Sequence, residues 1–188
     1  MSNRAGCTPL PTIRTFSGRY MNLINPDPAD VDLESIAHAL GSICRFGGHC
    51  PHFYSVAEHC VLAFELASAD GCDDEQLKAV LMHDASESYL GDMVKPLKLE
   101  VHFYNECESK MEDAIGQHFG IDFKKHHDTI KKYDLMMLKA EKEHFWPDDP
   151  IQWSCLEDVE AAEIPFSHFL PNTARRVFSL YAKSLLKL

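Results

Sequence analysis

Apolar residues recur at intervals of three and four along most of this chain, which is the period of an amphipathic helix. Alternating apolar and polar runs, which indicate half-buried strands, are scarce. Asp30 or Asp32 can cap the first helical segment, and Asp73 or Asp74 can cap the third. The pattern therefore predicts six main helices, at about residues 33–43, 56–69, 74–90, 100–119, 125–145 and 172–186.

The first thirty residues are rich in Pro, Thr and Asn and are typical of an extended arm. Within this arm, GRYMNLINPDP predicts a short strand or loop that runs into a turn. A chain of 188 residues is long enough for one well-buried core and too short for two comfortable ones. We therefore expect an all-α fold, with an N-terminal arm at residues 1–30 and a single helical bundle at residues 31–188.

The last predicted helix carries an apolar stripe that is wide enough for either a core face or a dimer face. We expect it to face the core. Its members are Val177, Leu180, Tyr181, Leu185 and Leu188.

Composition and charge narrow the classes of partner. The chain is 45% hydrophobic and 25% charged, as is usual for a globular protein. It has no apolar run near the roughly 20 residues that cross a bilayer, and its N-terminus has no apolar signal core. We therefore expect a cytoplasmic protein without a membrane partner. The net charge of −11 argues against binding a nucleic-acid polymer, although it permits a small anionic ligand.

The cysteines suggest no disulfide framework. They number seven, no CxxC pair occurs, and we expect reduced thiols. The string His49-Cys50-Pro51-His52 is the nearest approach to a structural zinc site, but the paired Cys/His set is missing.

Candidate metal ligands concentrate in LMHDASESYLGD. A histidine nitrogen and a carboxylate oxygen at His83 and Asp84 suit a divalent metal, and Glu87 follows on the same side of a helix. His59 and Asp134, on two other predicted helices, could complete the ligand set. Each residue also has an ordinary interpretation, since a lone buried histidine or a helical aspartate is usually structural.

A set of two histidines and two aspartates leaves open positions on a six-coordinate metal for water and a phosphate oxygen. Phosphate-ester hydrolysis is the reaction that such a set serves most naturally. Glu87 could position or deprotonate water, and Asp92 could assist proton transfer or bind a sugar hydroxyl. Arg45, Lys95 and Lys98 are the nearby cations available for phosphate, although the two lysines flank a proline and would normally be solvated.

At these positions the chain resembles the HD-domain metal-dependent phosphohydrolases, specifically the branch that contains the 5′-deoxynucleotidases. The resemblance spans about residues 45–143 and rests on VAEHC, HDxSExxxGD, the Pro and Lys of KPLK, and a late Asp. It implies that the metal ligands are His59, His83, Asp84 and Asp134, with a divalent ion of the Co, Mn, Fe, Ni or Zn class. It also implies that Glu87 and Asp92 are the catalytic acids and that Arg45 contacts phosphate, although Arg-Phe departs from the usual Arg-Trp. Homo-oligomers are common in this family, so we expect one.

The N-terminal arm resembles a subgroup of small phage and bacterial HD proteins that includes a deoxyadenosine triphosphate triphosphohydrolase. This likeness implies that four residues of the arm lie over the base of a nucleotide substrate, namely Tyr20, Met21, Asn22 and Leu23. It leaves two enzymatic expectations open: hydrolysis of a 5′-deoxynucleoside monophosphate, and release of triphosphate from a deoxynucleoside triphosphate. A third expectation is a non-enzymatic module that binds a nucleotide.

Overall fold

The computed structural model describes residues 11–188. Its helices are α1 (Leu33–Ser42), α2 (Val56–Ala69), α3 (Asp74–Leu81), α4 (Glu87–Leu90), α5 (Lys95–Lys98), α6 (His102–Phe119), α7 (His127–Phe145) and α8 (Pro171–Leu186). Strands β1 (Thr12–Arg14) and β2 (Tyr20–Asn22) form a small antiparallel hairpin, with Ile13 opposite Met21. Short 3-10 turns lie at Pro28–Asp30, Arg45–Gly48 and Ser154–Leu156. The all-α prediction is confirmed.

Local signals in the sequence set several helix ends. The side chain of Asp32 accepts a hydrogen bond from the backbone N–H of Ser35, and Asp73 forms a reciprocal capping box with Gln76. Gly120 ends α6 in the left-handed conformation, which carries no steric penalty for glycine. The predicted caps and the bounds of α2 are therefore confirmed.

The predicted third helix, however, is wrong as a single element. The chain leaves the helix after Leu81, passes through a turn at residues 82–86, and begins α4 at Glu87. Adjacent residues of a regular helix point about 100° apart, so an unbroken helix could not aim both His83 and Asp84 at one point. The turn allows both side chains to face the same neighbours.

The core is built around α2, which packs against α1, α3, α7 and α8. Ten of the residues of α2 are buried, including Glu58 and His59. Helices α1 and α8 approach closely at Gly41, where a β-carbon would lie 2.9 Å from the carbonyl oxygen of Pro171. Tight packing around α2 thus fixes the side chains that project from it.

The interior face of α8 differs from the predicted stripe. Its buried residues are Ala174, Phe178 and Ala182. Leu180 and Leu188 are 68% and 70% exposed, so the expectation of a core position is wrong for both. The other three members of the stripe are partly buried against the core.

The described part of the arm lies against the bundle. Met21 of β2 is fully buried in the hydrophobic core, and Leu23 packs against it. The strand predicted near GRYMN is present, while residues 1–10 of the predicted arm lie outside the described residues. None of the helices between residues 11 and 188 combines the length and apolarity that crossing a bilayer would require.

Candidate metal centre

Two histidines face each other at the centre of the bundle. His59 lies in the middle of α2 and is fully buried, and His83 lies in the turn after α3. Their Nε2 atoms are 3.3 Å apart. The Nδ1 atom of His59 lies 2.5 Å from Oε1 of Glu141, and Nδ1 of His83 lies 2.7 Å from the carbonyl oxygen of Val80.

These contacts define the proton positions. A neutral imidazole donates through one ring nitrogen, and each Nδ1 here faces an oxygen that can only accept. Both Nε2 lone pairs are then directed at each other, which is unfavourable unless a positive charge lies between them. A proton or a metal ion has to supply that charge. Burial opposes protonation of His83, but the Asp84 carboxylate raises the pKa of His83 well above its usual range. A positive charge is therefore favoured at this position.

Two carboxylates approach the facing nitrogens from the remaining sides. Oδ2 of Asp84 lies 3.3 Å from Nε2 of His83 and 3.8 Å from Nε2 of His59. Oδ1 of Asp134, on α7, lies 3.2 Å from Nε2 of His59 and 3.9 Å from that of His83. Ligand atoms about 2.1 Å from one ion are themselves roughly 3.0 to 3.4 Å apart. The distances of 3.2 and 3.3 Å match this spacing, and those of 3.8 and 3.9 Å lie between it and the roughly 4.2 Å that separates ligands on opposite sides of an octahedral ion. The four predicted ligands therefore converge from three parts of the chain around a space that a divalent ion could share.

The side chains of the proposed centre differ in their exposure to solvent. The Asp134 side chain is 39% exposed, whereas that of His59 is completely buried. The centre therefore meets solvent on the side of α7, at Asp134. Burial opposes ionisation of Asp84, but His83, His59 and Arg45 together lower its pKa below the usual range, so it remains an anionic donor.

A buried layer behind the ligands holds His59 in place. Glu141 is fully buried on α7 and accepts hydrogen bonds from the Tyr54 hydroxyl at 2.8 Å and from Nη2 of Arg45 at 3.1 Å. Nη1 of Arg45 lies 3.4 Å from Oδ2 of Asp84, so the guanidinium joins a ligand to the layer behind it. A carboxylate on the far nitrogen of a metal-binding histidine is the common second layer of such sites. Sequence reasoning missed Glu141, although it lies seven residues after Asp134 and thus on the same face of α7.

The two predicted catalytic acids border this cluster. Glu87 is buried at the start of α4, and its Oε2 atom has no hydrogen-bond partner among residues 11–188. Burial, followed by the charges of Asp84 and Asp92, raises the pKa of Glu87 well above its usual range. Burial also raises the pKa of Asp92, which follows the left-handed Gly91 at the end of α4. Both groups can therefore hold a proton at a higher pH than an exposed carboxylate.

The three predicted phosphate-binding cations differ in their burial and in their ion-pair partners. Arg45 is buried against Asp84 and Glu141. Nζ of Lys98 forms an ion pair with Oε1 of Glu108 at 2.6 Å and lies near enough to Glu87 to lower its pKa. Lys95 is exposed on α5.

Among residues 11–188, no hydrogen bond or ion pair joins the predicted base-contacting residues of the arm to the proposed ligands. Met21 is in the core, Tyr20 is 48% exposed, and Leu23 is partly buried. Oδ1 of Asn22 accepts hydrogen bonds from the backbone N–H groups of Ile24 and Asn25, at 3.0 Å each, and so stabilises the turn after β2. Their role in holding a base stays a prediction.

Two cysteines lie near the cluster. Cys60 is buried beside His59, with its Sγ within 4.8 Å of possible ligand atoms of His83 and Asp84. Burial raises the pKa of its thiol and disfavours the thiolate that a metal requires. Cys50, from the HCPH string, donates to the carbonyl oxygen of Arg45, and burial raises its pKa to about 12. Histidine and carboxylate therefore remain the better donors here.

Comparison with known proteins places the chain among bacterial relatives. The chain is 38% identical over 154 residues to "Uncharacterized protein YfdR" of Escherichia coli, and this match covers 81% of the chain and 82% of YfdR. It is 39% identical over 113 residues to "Uncharacterized protein RCAP_rcc00048" of Rhodobacter capsulatus, which covers 57% of the chain and 58% of that protein. No family model matches the chain. Neither relative's name states an activity.

Proposed function

The chain belongs to the family of Escherichia coli YfdR, and we propose that this member hydrolyses the phosphate ester of a 5′-deoxynucleoside monophosphate in a metal-dependent reaction. One observation carries the proposal. The Nε2 atoms of His59 and His83 face each other at 3.3 Å, and oxygens of Asp84 and Asp134 lie within 3.9 Å of them. The resemblance of the same segments to HD-domain phosphohydrolases adds the substrate class.

The donor set fits a divalent ion of the Mn, Fe, Co, Ni or Zn class, because imidazole and carboxylate suit such ions. When bound, the ion would act as a Lewis acid toward a phosphoryl oxygen and would lower the pKa of a water molecule. His59, His83, Asp84 and Asp134 would hold it. Four protein ligands leave room for both water and substrate on the solvent-exposed side near Asp134.

The chain itself supplies the groups for proton transfer. Glu87 is buried next to the proposed ligands, has a raised pKa, and keeps an Oε2 atom without a hydrogen-bond partner in the described part of the chain. Such a carboxyl can hold a proton for the leaving 5′-oxygen or accept one from the attacking water. Asp92 is less buried than Glu87 and also has a raised pKa. It can therefore exchange protons with solvent.

In the proposed reaction, Arg45 orients the groups that hold the metal. Its guanidinium binds both Asp84 and Glu141 and therefore orients a metal ligand and the carboxylate behind His59. Among residues 11–188 its Nε atom has no hydrogen-bond partner, but this atom is shielded from solvent, so direct contact of Arg45 with a phosphate oxygen stays a prediction.

The placement of the other cations supports a monophosphate over a triphosphate. Lys98 is neutralised by Glu108, Arg19 donates to the carbonyl oxygen of Ala29 at 2.6 Å, and Arg175 contacts His38 at 3.3 Å on the α1–α8 side. A triphosphate tail with about four negative charges would need several free cations near the metal. Among residues 11–188, Arg45 is the one cation in direct contact with a proposed ligand.

A product-resolved hydrolysis screen tests the proposal. Protein stripped with a chelator and reloaded with one metal at a time is incubated with ribo- and deoxynucleoside mono- and triphosphates. We expect orthophosphate from the deoxynucleoside monophosphates and none from chelated protein. Triphosphate released from a deoxynucleoside triphosphate would replace this proposal with the triphosphohydrolase.

Two variants make the screen specific. Asp84→Ala removes a ligand and should abolish turnover, whereas Asp74→Ala changes an exposed aspartate at the start of α3 and should not. If metal-loaded protein bound nucleotides but released no product from any of them, the chain would be a nucleotide-binding module and not an enzyme.

A further inference from the structure

A second group of histidines lies at the surface, apart from the proposed centre. His52 follows the 3-10 turn at Arg45–Gly48, His144 lies in the last turn of α7, and His168 lies in the irregular segment before α8. The Nε2 atoms of His144 and His168 are 3.3 Å apart, and the ring centres of His52 and His168 are 5.1 Å apart. We refer to these three residues as the histidine cluster.

The pair in this cluster matches the pair in the proposed metal centre in its distances, although its ring planes are 30° apart and those of the other pair are 59° apart. The ring centres of His144 and His168 are 5.3 Å apart, compared with 5.2 Å for His59 and His83, and both pairs approach through Nε2 at 3.3 Å. The His144 ring also stacks on Phe166, with ring centres 4.2 Å apart and planes 17° apart. Its orientation is therefore fixed before any ligand binds.

The backbone holds His168 in an uncommon conformation. Its φ is 49°, in the left-handed region that residues other than glycine rarely adopt. The next residue, Phe169, donates its N–H to the buried Glu58 carboxylate at 2.9 Å, and this contact anchors the segment to α2. An uncommon backbone conformation next to such an anchor is an observed outlier that points to a role for the His168 side chain.

The His168 ring has a free nitrogen beside the pair. Among residues 11–188 the buried Nδ1 atom of His168 has no hydrogen-bond partner, so that ring is not committed to a backbone acceptor. Neutral imidazoles are the preferred ligands of Zn, Ni and Cu ions.

We propose that His144 and His168 form a second metal site that binds a divalent ion of the Zn, Ni or Cu class, with water completing the coordination and His52 as a neighbouring ring. The two ligands come from the end of α7 and from the segment before α8. A bound ion would join these two parts of the chain and stabilise the segment that rests on Glu58, one residue before His59. The site is independent of the proposed hydrolysis.

Nickel binding measured by equilibrium dialysis tests this site with the metal alone as the probe. His83→Ala removes a ligand of the deep centre, so binding that remains in this variant reports the histidine cluster. We expect His83→Ala to retain one Ni²⁺ per chain and the double variant His83→Ala/His144→Ala to lose it. An equal uptake by these two proteins would overturn the proposal, as would the absence of any uptake by His83→Ala.

Two further variants control for indirect effects of a substitution on Ni²⁺ binding. His168→Asn keeps a residue that tolerates positive φ, so the segment retains its conformation while the ligand is lost. In the His83→Ala background it should also abolish Ni²⁺ uptake. His102→Ala removes an exposed histidine at the start of α6 and should leave uptake unchanged. Melting temperature gives a second readout: Ni²⁺ should raise it in His83→Ala, and the same rise in the double variant would contradict the site.

Discussion

Oε1 of Glu141 on α7 lies 2.5 Å from Nδ1 of His59 on α2, and this contact turns the opposite nitrogen of His59 toward His83. Burial opposes ionisation of Glu141, but Arg45 and His59 lower its pKa, so it remains a carboxylate inside the protein. The negative charge raises the basicity of the imidazole and fixes its tautomer. The donor strength of the proposed centre therefore depends on a residue that touches no metal.

Replacing Glu141 with glutamine should weaken metal binding while leaving the four ligands in place. Glutamine can still accept the Nδ1–H hydrogen bond, but the charge is lost and Arg45 keeps only Asp84 as a partner. We expect a loss of about 10-fold to 100-fold in affinity, the usual effect of changing such a residue. Calorimetric titration with Mn²⁺ measures it. Glu143→Gln, exposed on the same helix, is the control, and equal affinities in the two variants would show that Glu141 has no such role.

Glu87→Gln and Asp92→Asn should separate proton transfer from metal binding. Both side chains border the ligands, and both have raised pKa values that suit a general acid or base. We expect Glu87→Gln to lower kcat by about 10²-fold to 10⁴-fold, and Asp92→Asn by less because it is more exposed, with normal metal content in both. Steady-state kinetics with metal analysis on the same samples checks this. Full activity in Glu87→Gln would remove it from the mechanism.

Truncating a buried side chain of α8 should lower the stability of the fold far more than truncating an exposed one. Phe178 is fully buried, whereas Leu180 is 68% exposed. Phe178→Ala should lower the free energy of unfolding by about 3 to 5 kcal/mol, because the cavity it leaves is lined by a packed core. Leu180→Ala should change it by less than about 0.5 kcal/mol. Urea denaturation followed by circular dichroism measures both. A large loss in Leu180→Ala would indicate that this face is covered by a partner, such as a second copy of the chain.

Glu112 on α6 should make the fold less stable as the pH rises toward neutrality. Burial, followed by the charge of Glu108, raises its pKa from 4.5 to about 7. The folded chain therefore binds the proton more tightly than the unfolded chain, and its stability falls between these two pH values and then levels off. In Glu112→Gln this fall should be smaller by about 1 to 3 kcal/mol, a range that allows for partial solvent screening.

Unfolding midpoints measured from pH 4 to pH 8 test this dependence. Glu106→Gln, exposed on the same helix, should retain the pH dependence of the original chain. If Glu112→Gln followed that same profile, the buried carboxyl would be ionised throughout and the predicted pKa shift would be wrong.

Helices with one apolar stripe could be predicted from the sequence because a single period determines which face is buried. For α7, and for the caps at Asp32 and Asp73, the signal is local and the structure agrees. The break at residues 82–86 could not be found in this way, since LMHDASESYL contains neither glycine nor proline and continues the helical period. The turn there brings His83 and Asp84 to one point, which is a tertiary requirement.

The same distinction between local signals and tertiary contacts applies to the proposed site. Its four proposed ligands could be named because His83 and Asp84 stand in a compact motif and because the segments that carry all four resemble a known family. Glu141 and Tyr54 could not, since a buried carboxylate is recognised by its partners, and those lie 82 and 96 residues away at His59 and Arg45. The spacing of seven between Asp134 and Glu141 was the one available signal.

Cobalt binding at the His59–His83 pair is the measurement that tests the central claim most directly. The titration is followed by visible absorption in the His144→Ala background, so that the histidine cluster does not contribute. We predict saturable binding with the absorption of a nitrogen- and oxygen-bound ion, lost in both the His83→Ala and the Asp134→Ala derivatives. Undiminished binding in either derivative would contradict the account, because the facing nitrogens and their carboxylates would then not be the metal centre.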